Sequence, residues 1–286
     1  MLIGVNTLMT KQEKAAASIL DSDDLLIHLD AHKSVSFENI LEMVDFSNPH
    51  FIPNAVGQWL DTSNFGNHVS PHPDTPYPTY SDSHLGNRGG IFFEGGSSAA
   101  MNLENAAFTH DLVNSFEVFM VSRVDSNVPG QDRLLEIRGD GTQVILLKAD
   151  QFDRGWFIRY DTGNVAELAT NMNYGHTYIH NLINDNDQLT ARLNNAVVAT
   201  ATLNPGGIMS EADAFVVGGF TGTSAARQYV GEILVFNRAL TFTERESLYT
   251  SLYNKWLRTT GGGGPGEGEF YDIQQYKLTD MLDQQF

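Results

Sequence analysis

The chain has 286 residues, a formal net charge of −18 and no cysteine. Its length suits one large domain with appendages. The lack of cysteine excludes disulfides and thiol chemistry, and the negative charge argues against nucleic acid and anionic membranes as partners. No apolar stretch approaches the roughly 18 residues of a membrane span, and residues 1–14 lack the order of parts of a signal peptide. We therefore expect a protein made in a cytosol and kept or assembled there.

Residues 1–24 are predicted to form an N-terminal arm with a short helix. Thr10 and Glu13 match a capping box, and strong helix formers surround Glu13 in the run KQEKAAASIL. A helix of about ten residues does not persist alone in water. We therefore expect it to pack on the domain or on a partner.

Two further segments follow a predicted first strand at 25–30. Residues 33–58 are predicted to form a helical insertion, because four apolar side chains recur at i, i+3, i+4 and i+7: Phe37, Ile40, Leu41 and Val44. Residues 61–90 are rich in Asp, Ser, Asn, Gly and Pro and are predicted to form a loop. A loop of this length in a compact domain is usually functional or held against a neighbour.

From Gly90 onward, short apolar runs alternate with turn residues such as Gly139-Asp140-Gly141 and Asn194-Asn195. The pattern predicts an all-β fold in which two antiparallel sheets form a jelly-roll sandwich. The predicted strands are 91–94, 99–103, 116–124, 134–138, 143–147, 156–160, 165–169, 177–183, 188–193, 196–202, 214–217 and 230–236.

Residues 229–256 predict a last strand, a bend and a helix. Both faces of the strand are apolar except at Glu232 and Asn237, so we expect it to be covered on both sides. Thr241 and Glu244 match a capping box that begins the helix. The helix is predicted to pack on a sheet through residues at a spacing of four: Leu248, Leu252 and Trp256.

The remaining residues are predicted to form a tether and a docking peptide. Residues 259–268 are a Gly-rich linker. Residues 269–286 are too apolar for a solvated tail, so we expect them to bind a neighbouring subunit or, alternatively, their own domain. The side chains predicted to bind this partner are Phe270, Tyr271, Ile273, Tyr276, Leu278, Met281, Leu282 and Phe286.

Five segments carry a shared pattern, in this order: 26–31, 59–67, 90–95, 191–198 and 229–256. Together they resemble the concanavalin A-like, laminin-G-like (LamG) jelly-roll domains that also occur in bacteriophage structural proteins. The resemblance covers the domain at residues 25–258 and implies a β-sandwich with a C-terminal helix packed on it. It does not imply one function, because this fold hosts lectins, enzymes and structural proteins alike.

No catalytic set is recognised in the sequence. Glycosidases of the resembled fold carry a run of carboxylates like E-x-D-x-x-E on one strand face, and the chain has no such run. It also has no G-x-S-x-G elbow and no cysteine nucleophile. Glu136 has Arg138 as its neighbour on the same face, which predicts an exposed ion pair. We therefore expect no enzymatic activity.

Histidines offer one kind of metal site. His28, Asp30 and His32 alternate along a strand and share a face, and so do His176 and His180. Either set has ligand types that bind a transition metal. The alternative interpretation is that they are polar positions on the outward faces of half-buried strands.

The resemblance implies a second kind of metal site, for calcium. Many laminin-G-like domains bind calcium at the loop matched here by Asp61, Asn64 and Asn67, with Glu94 at a position where the family often has Asp. Asn64 replaces a glycine, so its backbone is expected to be left-handed. The alternative is that Asp61 and Ser63 only fix the turn through side-chain to backbone hydrogen bonds.

A glycan site would need an exposed aromatic platform with polar groups at the rim or concave face of the sandwich. Tyr77 and Tyr80 are the candidates for such a platform. Trp59 and Trp156 are expected in the core instead.

The sequence supports two functional hypotheses. The first is a non-enzymatic structural component of a virus particle, of the bacteriophage kind: a capsid decoration, head-fibre or tail protein assembled in the host cytoplasm. It would be anchored through its termini to other virion proteins or to copies of itself. The alternative is a carbohydrate-binding adhesin module that recognises host surface glycans. Neither hypothesis involves nucleic acid or membrane insertion.

Overall fold

Two antiparallel β-sheets packed face to face, with helices on one outer face, make up the fold. The computed structural model describes residues 11–33, 35–37, 54–72, 75–85, 88–95, 100–103, 112, 115–125, 132–139, 144–149, 155–159, 165–203, 212–218 and 226–258. The helices are α1 (Lys11–Leu20) and α2 (Phe242–Leu252), and α2 continues into a π-helical turn (Tyr253–Leu257). The strands are β1 (Leu25–Asp30), β2 (Val35–Phe37), β3 (Val56–Trp59), β4 (Val69–Pro71), β5 (Thr79–Leu85), β6 (Arg88–Phe93), β7 (Ala100–Leu103), β8 (Ser115–Val124), β9 (Asp132–Gly139), β10 (Val144–Ala149), β11 (Gly155–Arg159), β12 (Val165–Ala169), β13 (Thr177–Asp185), β14 (Gln188–Leu193), β15 (Ala196–Thr202), β16 (Ala212–Gly218) and β17 (Gln228–Phe236).

The strand order determines which strands lie at the centre of each sheet. The eight-stranded sheet runs β15-β14-β13-β8-β17-β6-β5, and β1 pairs with the second half of β17. The nine-stranded sheet runs β12-β11-β10-β9-β16-β7-β4-β3-β2. Every strand predicted after Gly90 is present to within three residues at each end. The prediction of an all-β, two-sheet sandwich is therefore confirmed.

The main core lies between the two sheets. Alternate side chains of the central strands point into it, such as Ile145 and Leu147 of β10 and Ile158 of β11. Trp59 and Trp156 are buried there, as predicted. Burial of this apolar area, at roughly 25 cal/mol per Å², holds the sheets together.

Helix α2 and the π-helical turn form a second apolar layer on the outer face of the eight-stranded sheet. The helix begins with the predicted capping box: Thr241 Oγ1 accepts a hydrogen bond from the Glu244 backbone at 3.3 Å, and Glu244 Oε2 accepts one from the Thr241 backbone at 2.8 Å. Leu248, Leu252 and Trp256 are buried in this layer. Strand β17 is therefore covered on both faces, as predicted.

Three contacts fix the helices on the sheet. Arg245 of α2 forms two hydrogen bonds to the buried carboxylate of Glu117 on β8, at 2.7 and 2.9 Å. Trp256 lies over Gly231 of β17, where a Cβ atom would come within 2.9 Å of the indole ring. Ile19 of α1 is buried in the same layer. The predicted short helix of the arm is thus confirmed, while residues 1–10 lie outside the described residues.

Two predictions ahead of the main run of strands differ from the structure at the residues it describes. Val35–Phe37 is a strand paired with β3, where the sequence predicts the beginning of a helix. Ile40, Leu41 and Val44 lie outside the described residues. In the predicted loop at 61–90, β4, β5 and the start of β6 pair with other strands. The sequence of edge strand β5 is polar and shows no apolar alternation. Its pairing with β6 stabilises it as a strand.

None of the helices in the described part of the chain is long and apolar enough to span a membrane.

Candidate functional site

The loop that the resemblance links to calcium is closed by hydrogen bonds of its own. Asp61 Oδ1 accepts from the backbone N–H groups of His28 at 2.7 Å and Ser63 at 2.9 Å. Its Oδ2 accepts from Ser63 Oγ at 2.6 Å and from the Asn67 backbone at 2.7 Å. A carboxylate has about four lone-pair sites. The four hydrogen bonds to Asp61 therefore occupy the lone pairs with which it would coordinate calcium.

The other predicted ligands also have structural roles or lie apart. Asn67 donates from its amide to the Leu26 carbonyl at 2.8 Å, and Asn64 donates to Asp23 at 3.2 Å. The left-handed residue of the loop is Gly66, with φ of 66°, and not Asn64. Glu94 is exposed after β6, and no described contact joins it to the loop. The residues present therefore do not fit a calcium ion, and the geometry favours a turn fixed by Asp61.

A second cluster joins β1, β17 and the π-helical turn. His28 Nε2 lies 2.8 Å from Glu232 Oε1. Lys255 Nζ lies 2.7 Å from Glu232 Oε2 and 2.6 Å from Asp30 Oδ2, and the indole N–H of Trp256 donates to Glu232 Oε2 at 2.6 Å. His28, Asp30 and Glu232 have the ligand types and mutual distances of a metal site. The Lys255 ammonium occupies the position between the two carboxylates, so this cluster already contains its cation.

The remaining histidine candidates are not brought together. His32 and His176 are exposed, whereas His180 is buried and lies 3.0 Å from Ser122 Oγ. Burial lowers the pKa of His180 to about 3, so the ring stays neutral at ordinary pH. The interpretation of His180 as an outward polar position is wrong, because β13 is covered on both faces.

The two tyrosines predicted for a glycan platform lie in different environments. Tyr77 is 42% exposed in the segment before β5. Tyr80 is half-buried against the core, with its phenol over Gly89. All three tryptophans are buried. No described observation joins the two tyrosines into one aromatic platform, and their role in glycan binding stays a prediction.

The outer face of the nine-stranded sheet carries a different polar cluster, centred on β9. The pairing of β9 with β10 skips one residue, so that Leu147 faces Leu135 and Lys148 faces Arg133. This bulge leaves Leu134 and Leu135 both in the core.

Because of the bulge, Arg133, Glu136 and Arg138 share the outer face. Each arginine donates one N–H to the carboxylate of Glu136, which is 1% exposed. The predicted ion pair of Glu136 and Arg138 is present, but it is not exposed as predicted, because the carboxylate is buried beneath two guanidiniums. Strand alternation alone does not predict that Arg133 contacts Glu136, because the two residues are three positions apart and would point to opposite faces of a regular strand.

Cross-strand neighbours extend this cluster across the sheet. Glu136 faces Val216 on β16, Val216 faces Asn102 on β7, and Asn102 faces Ser70 on β4. Oδ1 of Asn102 is buried and accepts no hydrogen bond from the described residues. A buried acceptor of this kind is costly unless a partner, such as a ligand, satisfies it. We call the set Ser70, Asn102, Arg133, Glu136, Arg138 and Lys148 the outer polar face.

Glu136 and Glu167, two carboxylates described on this face, are farther apart than a catalytic carboxylate pair of a glycoside hydrolase. Glu136 faces Leu146, Leu146 faces Phe157, and Phe157 faces Glu167. Three strand spacings separate the Cα atoms of Glu136 and Glu167 by about 14 Å, and the carboxyl groups of catalytic pairs are roughly 5–9.5 Å apart. Glu167 is also paired with Lys148 at 3.4 Å.

No family model matches the sequence, and no curated protein matches it. Solved structures of similar fold include domain 4 of AbnA, a GH43 extracellular arabinanase from Geobacillus stearothermophilus, in complex with arabinotriose, at 12% identity and a TM-score of 0.58. The match covers 80% of this chain and 98% of that one.

Two other similar structures belong to longer chains. The binding domain of botulinum neurotoxin serotype G is 11% identical with a TM-score of 0.53, over 79% of this chain and 51% of that one. Trypanosoma rangeli sialidase is 15% identical with a TM-score of 0.54, over 82% of this chain and 34% of that one. This chain thus spans about half of the neurotoxin binding domain and a third of the sialidase chain. At these identities, the similarity shows the fold alone.

Proposed function

We propose that the chain is a non-enzymatic carbohydrate-binding β-sandwich domain whose binding site is the outer polar face. The observation that carries the proposal is the buried Oδ1 of Asn102, which accepts no hydrogen bond from the described residues and lies beside Ser70 in the cross-strand row that also contains Val216 and Glu136. Sugars are recognised through hydroxyl groups that need donors and acceptors fixed in place, and a sheet supplies such groups on a rigid support.

Of the four sheet faces, this is the one that neither lines the core nor packs against α1, α2 or the π-helical turn in the described part of the chain. The two inner faces form the core. The outer face of the eight-stranded sheet is covered by α2, the π-helical turn and part of α1. The outer face of the nine-stranded sheet carries partly exposed arginines and Asn102 instead.

The similar structures support a binding role. The AbnA domain is described in complex with arabinotriose, and the match covers 98% of that domain. The neurotoxin structure is of a binding domain. The wide separation of Glu136 and Glu167 argues against a hydrolase that uses a carboxylate pair on this face.

The test is a glycan array followed by titration calorimetry with arabinotriose and with the array's best ligands. We expect binding, and we expect Asn102→Ala to weaken it at least tenfold, because the sugar hydroxyl that donates to Asn102 Oδ1 would lose its acceptor. Thr200→Ala, on the exposed edge strand β15, is the matched control and should bind as the wild type does. Silence on the array, or equal binding by the Asn102 variant, would overturn the proposed site.

A place on a virus particle is a second proposal, supported by the apolar side chains in residues 269–286, which lie outside the described residues. In this role the domain is a capsid decoration, head-fibre or tail protein that displays the glycan-binding face outward. Deletion of residues 261–286 should leave a folded domain that no longer enters particles. Normal incorporation of the truncated chain would contradict this role.

A further inference from the structure

We infer that the edge of strand β15 that faces away from β14 is an interface between two copies of this chain. The two copies pair their β15 strands antiparallel about a two-fold axis, which joins two eight-stranded sheets into one. The inference concerns a different sheet from the proposed glycan-binding face and does not depend on that function.

Strand β15 has a hydrogen-bonding partner on one side. It ends the eight-stranded sheet, and its ladder runs to β14. No pairing with its other edge is found among the described residues. A row of unpaired backbone N–H and C=O groups is a template for another strand. The group that matches such an edge best is therefore an unpaired strand edge of a partner.

Exposed apolar side chains gather at the same place. Val197 and Val198 of β15 are 53% and 40% exposed, and Val165 of β12 is 50% exposed. Strand β12 lies beside β15 where the two sheets meet. These three valines are half of the large apolar side chains that are exposed in the described part of the chain. Single exposed apolar residues are ordinary, but a group of them marks an interaction surface.

Charge favours a second copy as the partner. Two copies of a chain with a net charge of −18 repel each other over most of their surface. A two-fold axis brings a strand against its own copy, so any charge on it meets a like charge. Strand β15, Ala196–Thr202, has no charged residue, whereas β5 at the opposite end of the sheet carries Asp82. The β15 edge is therefore where self-association meets the least repulsion.

A bulge limits the length of the contact. The ladder between β14 and β15 skips Val198, and from Ala199 to Thr202 the pairing is regular. A bulge twists an edge away from a partner, so the regular part supplies the backbone hydrogen bonds of the interface. An interface of this size is at the weak end of specific contacts, and we expect a dissociation constant on the order of 1–100 µM.

The experiment measures self-association of the full chain by sedimentation equilibrium from about 1 to 300 µM. We expect a dimer of twice the 31.6 kDa chain mass. Thr200 is exposed on the regular part of β15. Thr200→Lys and Thr200→Glu should each weaken the dimer tenfold or more, and an equimolar mixture of the two variants should regain it because opposite charges then face each other. Ser83→Lys, at an exposed position of β5, is the matched control and should dimerise as the wild type does.

Each outcome decides the inference. A wild type that stays monomeric at the highest concentration overturns it, and so does a dimer that both Thr200 variants retain. Deletion of residues 261–286 should leave the dimer intact. Dimerisation that appears only after this deletion would show that the C-terminal residues occupy the edge, and a dimer lost with them would place the interface there. Recovery in the mixture shows that the single variants are folded.

Discussion

Lys255 bridges two buried carboxylates at the point where the last strand meets the helical layer. Burial acts to raise the pKa of Glu232, but its hydrogen bond with His28 and the nearby charge of Lys255 outweigh burial and lower the pKa to about 2. Glu232 is therefore ionised in the folded protein at any ordinary pH. The stability of the fold therefore depends on the partners of this carboxylate, because an unpaired buried charge is strongly destabilising.

We predict that Lys255→Met lowers the free energy of unfolding by about 3–5 kcal/mol, because it leaves the carboxylates of Asp30 and Glu232 without their shared cation. Lys33→Met is the control. Lys33 lies 3.8 Å from the same Asp30 carboxylate but is 70% exposed, so its removal should change stability by less than about 1 kcal/mol. Urea unfolding at pH 7 measures both, and equal effects would contradict the role of Lys255.

His180 gives a prediction about pH. Its pKa is about 3 in the folded protein because burial disfavours the charged ring, against about 6.5 in an unfolded chain. Below pH 6.5 the unfolded chain takes up a proton that the folded ring does not bind. The stability contribution is therefore complete above pH 6.5 and is lost as the pH falls toward 3.

Between pH 7 and pH 5 this loss amounts to about 2 kcal/mol. A His180→Gln variant has no proton to gain at this position, so its stability should fall less over the same interval. Urea unfolding of both proteins at the two pH values isolates His180, because the other histidines titrate in both. Parallel losses in the two proteins would contradict the assignment.

At the scale of elements, the close approach of Trp256 to β17 depends on Gly231. A Cβ atom there would lie 2.9 Å from the indole and 3.1 Å from Leu85. We predict that Gly231→Ala destabilises the fold by about 1–3 kcal/mol through overpacking. In a Trp256→Phe background the same change should cost less, because the smaller ring leaves room. A double-mutant cycle by thermal unfolding tests this, and strict additivity would contradict the contact.

Sequence patterns predict those elements that bury an apolar face. The strands from Gly90 onward, the capping box at Thr241 and the burial of Trp256 all follow from alternation, turn residues and helical spacing. Strands β2, β4 and β5 do not, because they are short or polar and are held by pairing with distant strands. Their stability lies in contacts that no local window contains.

The candidate sites show the same division. The shared face of His28 and Asp30 is visible in the sequence, and Glu232 is visible as an interruption of an apolar strand. The link that Lys255 makes between them is a contact between a helical turn and two strands. The outer polar face depends on a bulge in β9 that places Arg133 on the same face as Glu136. Strict alternation would place these two residues, three positions apart, on opposite faces.

At the scale of the whole molecule, the acidic surface makes calcium an obvious ion to test. We predict that adding 5 mM calcium, or removing it with EDTA, shifts the melting temperature by less than 1–2 °C, since hydrogen bonds already use the lone pairs of Asp61. Magnesium at the same concentration controls for screening of the net charge. A shift of several degrees with calcium alone would show that the loop at 61–67 or another site binds it.

The central claim is that the outer face of the nine-stranded sheet, and no other surface, binds a glycan. The most direct test is a crystal structure of the chain with the tightest oligosaccharide from the array. The claim predicts sugar density over β7, β9 and β16, with a sugar group within hydrogen-bond distance of Asn102 Oδ1. Density confined to the sandwich rim near Tyr77 and Tyr80, or to the helical side, would contradict it.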